Sequence, residues 1–328
     1  MSATSAPLLL DVRDLEVRYA LGRGRLTAVA GVSFQLPQGE SLGVVGESGS
    51  GKSSIARALL RLVPARGSAL FLERDLLELR GRALRATRER LQIVFQDPHG
   101  ALDPRMCVAD IVAEPLREFR PAAAAHRREQ VQRMLARVGL GAELLGRYPH
   151  QLSGGQAQRV GIARALVLHP RLLICDEPMA ALDVSIKAQI ANLLREMRDA
   201  LGLSLLLIAH DLPTVRYLCD RILVLYAGQV MELAGRETLF RSPLHPYTRA
   251  LLAATPLPVP GRTAFAGALP DPDSLPGADA PGCRFRQRCP LALPRCGAET
   301  PRLRAVGATL VACHRADEPG MDETHPAP

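Results

Sequence analysis

Three groups of residues in this chain have the types and spacing that chemistry needs. The first, Gly46-Glu47-Ser48-Gly49-Ser50-Gly51-Lys52-Ser53, fits G-x-x-x-x-G-K-[ST], the pattern of a loop that wraps a polyphosphate. Glycines 46, 49 and 51 let the backbone turn its N–H groups and the following helix N-terminus toward an anion. Lys52 supplies a compact cation for the outer phosphates, Ser53 a hydroxyl for Mg²⁺, and Ser54 completes the binding stretch. Only two of the 41 basic residues are lysine, at 52 and 187, so lysine at 52 suits a site that wants a point charge instead of a planar fork.

The second group is Asp176-Glu177, set directly behind the apolar run of "LLICDEP" at 172–178. A strand end is where an open α/β sheet presents ligand-contacting groups. Asp176 is the expected carboxylate for Mg²⁺, and Glu177 the group that polarises an attacking water. The third group is Cys283, Cys289, Cys296 and Cys313, spaced C-x5-C-x6-C-x16-C. That spacing lacks the tight C-x2-C of most structural zinc sites and leaves zinc, a [4Fe–4S] cluster and unliganded thiols all open. Cys107, Cys175 and Cys219 fall in apolar or helical contexts and read as small core residues.

These groups need elements to hold them. Residues 8–45 alternate apolar and polar positions in bursts that read as strands, and "SLGVV" passes through the glycine-rich turn into a helix over 51–62. Between 105 and 150 "VADIVAEPLREF" and "HRREQVQRMLARVGL" have helical periodicity. Strand-like runs return at 171–178, 203–211 and 221–233, with a helix in "SIKAQIANLLREMRDALG". Buried runs joined by helices predict a mainly parallel sheet covered on both faces. After residue 255 a Pro-, Gly- and Ala-rich stretch predicts an irregular connection to the cysteine tail. That tail is too poor in periodic apolar residues to build a robust core, and metal ligation would serve as its clip.

Bulk properties narrow the classes. No run approaches the ~18 apolar residues of a spanning helix, and the N-terminus lacks a signal-peptide pattern, so a cytosolic protein with reduced thiols is expected. The formal charge of +8 comes with no aromatic-rich stacking module; arginine-rich composition accounts for it better than a dedicated nucleic-acid surface does.

Between the first two groups stands "LSGGQAQRVGIARAL", Leu152 to Leu166, which resembles the signature of the ATP-binding-cassette ATPases. Tyr19, Gln96 in "IVFQDP", Asp183 in "AALD" and His210 in "LLIAHD" occur in the family's order around it. The resemblance implies an α/β fold: a P-loop NTPase (RecA-like) core with an antiparallel β subdomain and an inserted helical subdomain at about 97–160. This nucleotide-binding domain would span residues 1–255, and 256–328 would be a small irregular extension with the four cysteines. In that family two such domains close head to tail around ATP. Tyr19 would then stack on adenine, and Gln96 would sense Mg²⁺ and the attacking water while coupling to a membrane partner. Ser153, Gly154, Gly155 and Gln156 would reach the γ-phosphate held by the opposite subunit, His210 would contact that phosphate and hold the water and Glu177 in register, and Asp183 would be one of the nucleotide-binding residues. Where relatives carry hydroxyl residues before Ala-Leu-Asp, this chain has Met179-Ala180-Ala181-Leu182-Asp183, which removes a hydroxyl at 180 but keeps the acids.

"SPLHPYTRALLAATP" (242–256) with "VGESGSGKSS" and "FQDPHGALDP" resembles the ATPase subunits of dipeptide, oligopeptide and nickel importers. Those subunits carry a similarly patterned cysteine tail, so the resemblance implies a [4Fe–4S] cluster on Cys283, Cys289, Cys296 and Cys313, ahead of zinc or free thiols. It also implies ATP and Mg²⁺ as cofactors, a second and non-identical ATPase subunit, two membrane permease subunits and an external substrate-binding protein. The chain would lie peripherally on the cytoplasmic face of the plasma membrane. Competing readings are a soluble cassette ATPase acting on nucleic acid or ribosomes, and a non-hydrolysing regulatory subunit; 105–150 is too short for the long coiled coil typical of the former.

Overall fold

The computed structural model describes residues 7–22, 24–120, 123–180, 182–254 and 281–318. Ala181 and the irregular connection expected after residue 255 lie outside them, apart from its last residues. Strands β1 (Leu8–Leu21), β2 (Gly24–Pro37) and β3 (Ser41–Val45) lead into helix α1 (Lys52–Leu59), followed by β4 (Ala65–Phe71) and β5 (Arg74–Asp75). Next come α2 (Gly81–Arg90), β6 (Leu91–Val94), α3 (Val108–Phe119), α4 (Ala124–Arg137) and α5 (Gly154–Leu166). Then follow β7 (Leu172–Asp176), α6 (Val184–Leu201), β8 (Ser204–Ala209), α7 (Leu212–Leu218), β9 (Arg221–Tyr226) and β10 (Gln229–Gly235). Helices α8 (Arg236–Arg241), α9 (Pro246–Ala254) and α10 (Arg295–Ala298) precede the hairpin β11 (Arg304–Val306) and β12 (Thr309–Val311).

The chain divides into two compact units, one built mainly from Glu78–Ala209, the other from Leu8–Leu36, Leu42–Leu77 and the chain from His210 onward. In the first, β6, β7 and β8 run parallel, with Val94 opposite Cys175 and Asp176 opposite Ile208. Every residue of β7 and β8 is buried, as expected of strands covered on both faces. Helix α3 turns Val108, Ile111, Val112 and Leu116 inward and packs against α4 and α5. These three helices are the inserted helical subdomain. Helix α6 stops at Gly202, whose φ of 59° lets the N–H of Leu203 fold back to the Arg198 carbonyl at 3.2 Å.

The second unit carries a four-stranded sheet in the order β2-β1-β4-β5, in which β1 and β4 are antiparallel with a bulge between Arg13 and Glu16. Burial along β2 largely alternates, as in a strand with one wet face. A second set of strands pairs β3 parallel to β9, then β9, β10, β12 and β11 in successive antiparallel steps. The run 221–233 is not one strand. It turns at Ala227-Gly228, whose φ values of 46° and 80° are the two left-handed residues that a tight hairpin requires.

Candidate functional site

The loop behind β3 is shaped by glycines in conformations closed to other residues. Gly49 and Gly51 have φ of 78° and 103°. A Cβ on Gly46 would collide with the carbonyl oxygen of Leu225, and one on Gly51 with that of Ala28. Gly51 is also the N-cap of α1 and brings no capping side chain. Ser53 and Ser54 sit half-buried beside this helix start, where the positive end of the helix dipole favours an anion. Lys52 is only 4% exposed and donates through Nζ to the carbonyls of Gly46 and Glu47, both at 2.8 Å. Tyr19 on β1 donates its hydroxyl to Ser54 Oγ at 3.2 Å, which sets its ring beside the start of α1. A cradle that requires glycine at 46, 49 and 51, with a buried ammonium beside it, fits a polyphosphate. His210, also in this unit, is exposed immediately after β8.

In the other unit Asp176 ends β7 and is 5% exposed. A buried carboxylate at a strand end is a hard oxygen donor of the kind Mg²⁺ takes. Glu177 follows in the left-handed region with φ of 47°, a conformation that costs a non-glycine residue about 1–2 kcal/mol. Two bonds fix it there: its N–H donates to the Ile208 carbonyl at 2.9 Å, and Gln96 Nε2 donates to its Oε2 at 3.1 Å. Gln96 and Glu177, 81 positions apart, are therefore brought together. Ser153 is the N-cap of α5 and closes a reciprocal pair with Gln156: the Gln156 N–H donates to Ser153 Oγ at 3.3 Å, and the Ser153 N–H to Gln156 Oε1 at 3.0 Å. A Cβ on Gly155 would press on Ile186 of α6, so glycine there permits close helix approach. Asp183 is the N-cap of α6, exposed next to Val184, which is 84% exposed.

Sequence reasoning missed the residues that brace the phosphate loop from a distance. Tyr247 accepts the N–H of Glu47 on its hydroxyl at 3.0 Å, and Arg288 forks onto the Glu47 carboxylate. Burial, reinforced by the Glu47 charge, pushes the Tyr247 hydroxyl well above its usual range, so it stays a neutral acceptor. Glu232, fully buried in β10, accepts the N–H groups of Leu244 and His245, both at 2.9 Å, and so caps the head of α9. A charged residue in the middle of an apolar strand was the one signal for Glu232. Nothing local marked Tyr247 beyond its place in "HPYTRALL".

The cysteine tail corrects an expectation. Cys283, Cys289, Cys296 and Cys313 line one cleft with His245 and Phe285, yet among the described residues no group of three or more His, Cys, Asp or Glu is arranged to hold a metal ion. Neither a [4Fe–4S] cluster nor zinc is supported. Burial raises the thiols of Cys283 and Cys313, and that of Cys289 to about 11, so they are protonated near neutral pH. Protein contacts anchor the tail. Its hairpin extends a sheet by pairing β12 with β10, with Glu232 opposite Val311 and Leu233 opposite Leu310. Phe285 is fully buried against Tyr226, Tyr247 and His245, with ring centres 5.4, 5.3 and 5.8 Å away, and Val311 and Ala316 pack on Leu244.

Among the described residues no helix is long and apolar enough to cross a membrane. The family model described as ABC transporter matches residues 29–180, and that of the oligopeptide/dipeptide transporter C-terminal region matches 231–296. The oligopeptide transport ATP-binding protein OppF of Escherichia coli (strain K12) is 46% identical over 327 residues, covering 94% of this chain and 97% of that protein. AppF, an oligopeptide transport ATP-binding protein of Bacillus subtilis (strain 168), is 43% identical over 330 residues, covering 96% and 99%. Among solved structures, the dimeric post-hydrolysis state of the ATP-binding cassette MJ0796 bound to ADP and Pi superposes with a TM-score of 0.64 at 28% identity, over 69% of this chain and 98% of that one. Sequence, fold and the glycine-shaped loop agree, and the chain belongs to the ATP-binding subunits of ABC transporters, in the branch of the OppF/AppF-type oligopeptide and dipeptide importer ATPases.

Proposed function

We propose that this chain hydrolyses ATP to power the import of oligopeptides or dipeptides through separate membrane permease subunits. The single observation that carries this is the glycine cradle at 46–51 in a chain 46% identical to OppF over nearly its full length. The reading assigns residues 1–255 to the nucleotide-binding domain and 256–328 to an extension on it. It places the chain at the cytoplasmic face of the membrane, working with a second ATPase subunit and an external peptide-binding protein.

In this mechanism the loop N–H groups and Lys52 hold the phosphates, and Tyr19 packs on the base. Ser53, Gln96 and Asp176 would hold Mg²⁺, which when bound offsets the phosphate charge. Glu177 orients a water and accepts its proton as the water attacks the γ-phosphoryl group. The hydrogen bond from Gln96 and the fixed left-handed backbone leave that carboxylate little freedom, which lowers the cost of orienting it. Ser153 to Gln156 offer a helix N-terminus to the ATP of a facing subunit, and His210 and Asp183 complete the residues around the nucleotide.

The test is reconstitution of the chain with its permease, second ATPase and binding protein in vesicles. ATP-driven peptide uptake that Lys52→Ala abolishes is expected. Uptake that persists in Lys52→Ala would refute the site.

A further inference from the structure

Glu47 is a carboxylate inside a loop whose proposed task is to receive a polyanion, and like charges repel. A residue 241 positions away answers that repulsion: Arg288 donates through Nη1 to Glu47 Oε2 at 2.7 Å and through Nη2 to Oε1 at 3.0 Å. The arginine side chain is 9% exposed and the glutamate 30%, which sets this forked pair apart from a freely solvated surface ion pair. Nη1 also reaches the Tyr226 hydroxyl at 3.3 Å, and the guanidinium carbon lies 5.7 Å from the centre of the Tyr226 ring.

The main chain of Glu47 is held from the same side, by the Tyr247 hydroxyl. Arg288 has little freedom to drift. Phe285, three residues earlier, is buried between Tyr226 and Tyr247, and Arg284 donates to the Ala227 carbonyl in the β9–β10 turn. The next residue of that turn, Gly228, donates its N–H to the Ser50 carbonyl of the phosphate loop at 2.8 Å. The tail therefore grips the loop at Glu47 directly and at Ser50 through one turn.

We infer that Arg288 is a positioning residue of the nucleotide site: it neutralises and orients Glu47, so the C-terminal extension must be docked for the loop to hold ATP tightly. This rests on the reading that Gly46 to Ser53 bind ATP. By linkage, bound ATP tightens the docking of the extension by the same factor.

Calorimetric titration of the full chain with MgATP tests it, using Arg288→Ala, Glu47→Gln, the double variant and Lys52→Ala. Arg288→Ala is expected to weaken binding by about tenfold, with the loss shrinking as salt is raised. Glu47→Gln removes the repulsion but keeps the cation, and is expected to tighten binding severalfold. The double variant should return to within about threefold of the parent, a rescue that a merely structural role for Arg288 would not produce. Parent-like binding by Arg288→Ala, a double variant no better than Arg288→Ala, or a Glu47→Gln protein that binds no tighter would each overturn the latch. If Lys52→Ala still loses ATP in those cases, the nucleotide site itself stands. A parent protein that binds no MgATP would sink both.

Discussion

The phosphate loop and the LSGGQ turn are both glycine-containing helix N-termini, yet they are held in opposite ways. The LSGGQ turn is self-sufficient: Ser153 and Gln156, three residues apart, satisfy each other's backbone N–H groups. The phosphate loop has no capping side chain of its own; besides its own Lys52, it is braced by Ala28, Leu225, Gly228, Tyr247 and Arg288, all distant in sequence. A locally closed turn survives changes elsewhere. A loop shaped by the rest of its unit fails when that unit is disturbed, and can also be controlled by it.

The sharpest way to break this comparison is to add the same methyl group to each. Gly51→Ala forces φ of 103° on an alanine and drives its Cβ into the Ala28 carbonyl. It is expected to cost on the order of 3 kcal/mol and to abolish ATP binding, read by thermal melting and nucleotide titration. Gly154→Ala meets only Leu182 Cδ2 at 3.5 Å and should leave the melting transition in place. Equal destabilisation by the two substitutions would contradict the distinction. Glu177→Gln is expected to bind ATP but to lower single-turnover hydrolysis by about 100-fold or more.

A subtler probe acts on the distant supports through His245. Burial pushes its imidazole down to about 3, while Nδ1 accepts the N–H of Tyr247 at 3.0 Å. The unfolded chain protonates this residue below about pH 6.5 and the folded chain does not, so stability is full above that pH and falls as pH drops toward 3. The expected loss from His245 is about 2 kcal/mol by pH 5, visible as a steeper drop in urea midpoint for the parent than for His245→Asn. Matching slopes would show that the ring charges freely in the fold. The smallest effect is expected at the self-capped turn, where Ser153→Ala should cost about 1 kcal/mol in chemical denaturation.

This contrast also explains what could be read in advance. The loop motif, the signature, Asp176-Glu177 and the helices α3 and α4 are encoded by neighbouring residues, so pattern alone locates them. Arg288 and Tyr247 reach Glu47 across 241 and 200 positions and Glu232 reaches the head of α9 across 12 and 13, and no local spacing announces them. The break at Ala227-Gly228 was hidden because the apolar run continues through the turn. The cysteines misled for a related reason: four thiols close in sequence gave a metal pattern, whereas Phe285 and Val311, unremarkable by themselves, anchor the tail through partners in β9, β10 and α9.

The hairpin that pairs with β10 has one more consequence. A buried strand such as β10, left at the margin of a sheet, offers its free backbone groups to any passing chain. Here the margin among the described residues is instead β11, only Arg304-Ala305-Val306, with Arg304 paired to Asp317. So short and charged a border gives a foreign strand little to grasp. Deleting the hairpin would make β10 that border and expose its free backbone groups to strand pairing with a second copy.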